Sequence, residues 1–243
     1  MRPFLFLGVR PEDAAADDEY AAMLRATRLT ETQLHRRRLD VEPLGEVDLA
    51  AYSGVLLGGG PFCVSDPPES KSGQQLRVEA DLDRLLGQVL ADDIPFMGCC
   101  YGIGTLGRRT GAVVDTTYGE AVSGVSVRVT PEGAADPVFA DLADGFVAFT
   151  GHKEAITRLP PGAVLLATSG PAPVQAFRVG RAYATQFHPE LDLAGLELRM
   201  RTYAEYGYFA PDELDDLLAM AARAGVVTLP PVLRRFVEVY ARP

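Results

Sequence analysis

The 243-residue chain has no tryptophan, only three histidines and three cysteines, and just two lysines among its 23 basic residues. Three cysteines, two of them adjacent (Cys99 and Cys100), cannot build the disulfide framework of a small secreted fold. A reducing cytoplasm is the compartment expected. With three histidines and no Cys-x-x-Cys pair, no structural zinc site is expected either. No stretch reaches the ~18 apolar residues of a transmembrane helix, and the opening apolar run is too short for a signal-peptide core. Acidic residues outnumber basic ones 33 to 23, for a net charge of −10. That balance repels phosphate and anionic lipid, so neither nucleic acid nor a membrane is an expected partner. The arginine excess over lysine reads as codon bias.

What is present is material for a core, with 47% hydrophobic and 23% charged residues. Disorder is excluded on that composition. With no internal repeat or long linker, residues 1–243 read as one domain, its core about 1–190 and a helical extension about 191–243. Short β-type runs alternate with amphipathic helical ones, the signature of an α/β sheet flanked by helices. Strands are expected at Pro3–Val9, Leu34–Val41, Gly54–Leu57 and Ile94–Gly98. Helices are expected from Pro11 to about Leu29, from Gln74 to Leu90 and from Gly102 onward. Pro11 is read as a first-turn proline. The middle of the chain carries β-type runs at 125–129, 146–150, 163–168, 174–178 and 183–187, separated by Pro/Gly turns. They read as antiparallel hairpins added to a mostly parallel sheet. Pro211-Asp-Glu opens a further helix, Gly225 closes it, and Pro230-Pro231 opens the last, an amphipathic cap.

The strongest local signal is Gly98-Cys99-Cys100-Tyr101-Gly102 between a predicted strand and a predicted helix. This is the nucleophile-elbow pattern with cysteine in place of serine. Its glycines are read as relieving collisions in a tight turn. The spacing makes Cys100 the nucleophile, facing a helix N-terminus that favours thiolate; Cys99 is buried filler. Two inert core cysteines in a glycine-rich turn are the plainer alternative. A thiolate in acyl transfer needs an imidazole, and the imidazole an orienting acid. His35 lies in an arginine-rich, exposed stretch. His152, in Thr150-Gly-His-Lys-Glu154, is a candidate near the site. His188 and Glu190, two apart on an extended segment around Pro189, face the same way. Gly58-Gly59-Gly60-Pro61 at a strand end is either an ordinary turn or a source of backbone N–H groups for an oxyanion.

In order, a strand ending in GGGP, then GCCYG, then QFHPE resembles a class I glutamine amidotransferase, most nearly the stand-alone branch similar to the glutaminase domain of GMP synthase. The likeness runs over about residues 50 to 190. It implies the family's flavodoxin-like fold and no cofactor. It also implies a Cys100–His188–Glu190 triad that releases ammonia from the side-chain amide of glutamine through a γ-glutamyl thioester. The main-chain N–H groups of Gly60 and Tyr101 would form the oxyanion hole, and Gly59 and His152 are substrate-binding candidates. One departure stands out. The family has glutamine, a substrate-holding side chain, where this chain has Gly104. The smaller residue is expected to open room, and it keeps two alternatives in play: a γ-glutamyl hydrolase or peptidase, and a non-catalytic regulatory subunit. A cysteine redox sensor, suggested by the Cys99–Cys100 doublet, is a remoter one. Residues 191–243 carry no phosphate loop and are too few for a synthetase. Ammonia would therefore pass to a separate synthetase partner. The aromatic cluster Tyr203, Tyr206, Tyr208 and Phe209 reads as core, with docking of a partner or a second copy as the alternative.

Overall fold

The computed structural model describes residues 1–205, 211–226 and 230–243. Tyr206, Tyr208 and Phe209 of the aromatic cluster lie outside the described residues. In chain order the elements are β1 (Phe4–Gly8), α1 (Asp13–Thr27), β2 (Leu34–Arg38), β3 (Val55–Leu57), α2 (Gly73–Ala91), β4 (Phe96–Cys99) and α3 (Tyr101–Thr110). There follow β5 (Val113–Asp115), β6 (Glu120–Val129), the short α4 (Pro131–Ala134), β7 (Phe146–His152) and β8 (Ala155–Arg158). The chain finishes with β9 (Val164–Thr168), β10 (Ala176–Val179), β11 (Ala182–Thr185), α5 (Leu193–Thr202), α6 (Leu214–Arg223) and α7 (Val232–Tyr240).

Nine strands form one sheet in the order β2-β1-β3-β4-β11-β10-β9-β6-β7. From β2 to β11 every pairing is parallel; from β11 to β7 every pairing is antiparallel. β1, β3, β4 and β11 are buried throughout, as strands covered on both faces must be. β2 is an edge strand, and its alternating burial explains how so charged a run stays extended. Side chains alternate between the layers: Leu5 and Leu7 join the core beneath α2 and α3, whereas Phe4 and Phe6 join the one containing Met23 of α1 and Phe236 of α7.

Several boundaries differ from the sequence reading. α1 begins at Asp13 with Glu12 as its N-cap, so Pro11 precedes the helix, and it ends at Thr27 because Arg28 turns left-handed at φ 59°. β6 starts at Glu120, five residues before the expected run; Gly124 interrupts the apolar pattern, yet it leaves room for Ala224 beside α6. β5 and β8 pair with each other in a separate two-stranded sheet, outside the runs expected as strands. The predicted last helix is α7, burying Val232, Leu233, Phe236 and Val237 at helical spacing.

Candidate active site

Parallel strands β1, β3, β4 and β11 all end at one edge of the sheet, where open α/β folds place their ligands. Cys100 follows β4 directly and takes φ 53°, ψ −93°, a region that costs a non-glycine residue ~1–3 kcal/mol. The conformation is held by its neighbours: the Cys100 N–H donates to the Thr185 carbonyl of β11 at 2.8 Å. The two elbow glycines are not equally constrained. A Cβ on Gly98 would lie 2.8 Å from Cα of Gly102, whereas one on Gly102 would meet Leu57 at an ordinary 3.6 Å. Cys99 points into the core, where burial pushes its thiol well up, and burial lifts Cys63 to about 12.

His188 is fixed by its backbone N–H, which donates to the Phe149 carbonyl of β7 at 2.9 Å. Its Nδ1 lies 2.8 Å from Oε1 of Glu190, and its ring and Cys100 meet over Gly59, where a Cβ would lie 2.7 Å from His188 Cε1 and 3.6 Å from Cys100 Cβ. Burial alone would lower the His188 pKa, but the charges of Glu190 and Cys100 outweigh it and raise the group to about 9. Burial would likewise raise Glu190; His188 and the guanidinium of Arg199 instead hold it well below the usual carboxylate range. Arg199 on α5 donates to the same Oε1 at 2.9 Å.

The glycine loop after β3 packs against a second buried carboxylate. Glu19 of α1 accepts the Gly59 N–H at 3.1 Å and the Arg10 Nε–H at 2.9 Å through one oxygen. The run needs glycine for space: a Cβ on Gly58 would meet Glu19 Oε2 at 2.5 Å, and one on Gly59 would meet His188 Cε1 at 2.7 Å. Among the described residues no protein acceptor receives the N–H of Gly60 or Tyr101. Gly59, by contrast, has given its N–H to Glu19.

His152 ends β7 with both ring nitrogens engaged, Nδ1 2.8 Å from the Glu154 carbonyl oxygen and Nε2 2.8 Å from Glu120. It lines a small pocket together with Gly60, Cys63, Cys100, Tyr101 and Glu154. The room expected beside Gly104 is taken, since Glu154 Oε1 lies 2.6 Å from where a Cβ at 104 would sit. On the His188 side a larger cleft, open to solvent, lies between Cys100, Gly60 and the extension residues Leu196, Met200 and Tyr203. His35 is exposed on edge strand β2. Among the described residues no group of side chains is arranged to hold a metal ion, and no helix is long and apolar enough to cross a membrane.

Sequence reasoning missed Glu19, Arg10, Arg199 and Glu154. A signal existed for two of them. Glu19 interrupts the buried α1 stripe Ala15, Ala16, Ala22, Met23, and Arg199 sits in the buried α5 stripe with Leu196 and Met200. A charge on a buried helical face needs a partner, and both found one at this site.

The family model for glutamine amidotransferase class-I matches residues 18–200. GMP synthase [glutamine-hydrolyzing] of Thermomicrobium roseum is 34% identical over 143 residues, 57% of this chain and 23% of that protein. The Thermus thermophilus GMP synthase is 32% identical over 151 residues, 61% and 27% respectively. The chain thus spans about a quarter of the length of the relatives it matches. A glutamine amidotransferase from Thermotoga maritima superposes with TM-score 0.76 over all of both chains at 21% identity. One from Methylobacillus flagellatus gives 0.69 at 18% identity, covering 100% of this chain and 97% of that one. At those identities the likeness is one of fold.

Proposed function

Because the chain belongs to the class I glutamine amidotransferase family, we propose that it is a cysteine-dependent amidohydrolase releasing ammonia from the side-chain amide of glutamine. Cys100 attacks the amide carbon, and the oxyanion is received by the N–H groups of Gly60 and Tyr101. His188, oriented by Glu190, hands a proton to the departing ammonia. Water, activated by His188 in turn, cleaves the γ-glutamyl thioester and returns glutamate and the free thiol. One observation carries the reading: a cysteine in a strained conformation at the sheet edge sits beside a histidine that is itself bonded to a buried carboxylate. The ammonia acceptor in this proposal is a synthetase, as the glutamine-hydrolyzing GMP synthases among its relatives suggest. Ammonia release from glutamine by the purified protein, beside Cys100→Ala, tests the chemistry. Release that persists in the variant sinks it.

A second reading has its own support. The cleft beside His188 is walled by Val122, Leu191, Leu196 and Met200 and is larger than departing ammonia requires. A γ-glutamyl hydrolase would seat an apolar amine there. Hydrolysis of γ-glutamyl amides with apolar amine portions, compared with glutamine at equal concentration, separates the two; turnover of glutamine alone removes the second.

A further inference from the structure

Behind the triad runs a buried chain of alternating charge. Arg10, just after β1, donates its Nε–H to Glu19 Oε1 at 2.9 Å, and Nη2 of Arg199 stands 3.8 Å from the same oxygen. Nη1 of Arg199 donates to Glu190 Oε1 at 2.9 Å, the oxygen that lies 2.8 Å from Nδ1 of His188. None of Arg10, Glu19, Arg199, Glu190 and His188 is more than 7% exposed. Among the described residues, His188 and Arg199 are the side chains that hydrogen-bond the Glu190 carboxylate. One guanidinium thus stands between the acid of the triad and the acid that holds the glycine loop at Gly59. The helix that carries it is docked for that purpose at both ends. Asp192 caps α5 by accepting the Gly195 N–H at 2.8 Å and reaches Arg25 of α1 at 3.3 Å, and just past α5 the Tyr203 ring lies 5.5 Å from the Arg10 guanidinium. A planar guanidinium can address two carboxylates at once, which the single point charge of a lysine cannot.

We propose that Arg199 is a positioning residue of the triad: it holds Glu190 in line for His188 and, through Glu19, ties that acid to the glycine loop, so that the reactivity of Cys100 depends on helix α5. The inference rests on the reading that Cys100, His188 and Glu190 act together. Without Arg199, the Glu190 carboxylate keeps one side-chain partner instead of two and is free to rotate away from the imidazole. Glu19 and Glu190 would then face each other without the cation between them, which disfavours both as anions. Lys153 and Glu154 face Cys100 from the small pocket on the other side and are untouched by changes at 199.

Thiol alkylation reads this dependence without any substrate, because iodoacetamide reacts with the thiolate. Tandem mass spectrometry of the labelled peptides separates Cys100 from the buried Cys63 and Cys99. At pH 7, Arg199→Met is expected to slow alkylation of Cys100 by about tenfold or more, the change that one pKa unit brings. Arg199→Lys, which keeps the charge and loses the fork, is expected to fall between the native chain and Arg199→Met, and it supplies the reading if the latter folds poorly. Glu19→Gln/Arg199→Met is expected to react within about threefold of the slower single variant, since both changes cut one chain. Loosened packing has the opposite sign, because it speeds labelling of Cys63 and Cys99. A native rate at Cys100 in Arg199→Met or in Arg199→Lys, a double variant slowed by the product of the single effects, or faster labelling of Cys63 and Cys99 in both Arg199 variants overturns the proposal. Failure of the catalytic reading shows separately, as Cys100 alkylation unchanged in His188→Gln.

Discussion

The carboxylate of Glu19, on the first helix, accepts the backbone N–H of Gly59 at 3.1 Å, across 40 positions of sequence. That contact anchors the glycine loop, whose Gly60 lines the same pocket as Cys100. The same oxygen pairs with Arg10, and Arg199 lies 3.8 Å away, so two buried cations converge on Glu19.

Glu19→Ala would leave those guanidiniums undercompensated and the loop unanchored. Breaking a buried pair costs about 3–5 kcal/mol, readable as a lower midpoint in urea unfolding. A drop in kcat should accompany it under conditions where the variant remains folded.

The elbow glycines should respond unequally. Gly98→Ala drives a methyl group into the backbone of Gly102, whereas Gly102→Ala meets Leu57 at ordinary contact distance. The first is expected to cost about 1–3 kcal/mol of stability and most of the activity. The second should keep both nearly intact.

Coupling between Cys100 and His188 gives a titration test. With the Cys100 contribution removed, the His188 pKa should fall from about 9 in Cys100→Ala, as seen by imidazole NMR. An unchanged value would mean the sulfur does not sense the ring.

The same shift sets a pH window. A histidine raised from 6.5 to about 9 adds stability that is complete below 6.5 and fades as pH rises to 9. The stability difference between the native chain and His188→Gln should therefore shrink across that range. In kcat, loss of the imidazolium should produce a falling limb near pH 9.

Much of this site was legible because its parts are local in sequence. The elbow is a contiguous segment, and His188 and Glu190 share a face by strand alternation. The parallel half of the sheet was readable for the same reason, from uninterrupted apolar runs at β1, β3 and β4. What escaped depends on contacts across the fold. Glu19 reads as one more acid in the Glu12–Glu19 stretch until its burial is known. Nothing near Gly104 in sequence announces that Glu154, 50 residues on, fills its space. Arg199 looked like part of a peripheral helical extension, yet it grips Glu190 from α5.

The most direct measurement is rapid acid quench of the protein turning over glutamine, followed by mass spectrometry of the peptide containing Cys100. A γ-glutamyl adduct on Cys100 is expected to build up in the steady state and to be absent from Cys100→Ser, with ammonia release lost in parallel. Ammonia release undiminished in Cys100→Ser, with no adduct on Cys100 in the native chain, would contradict it.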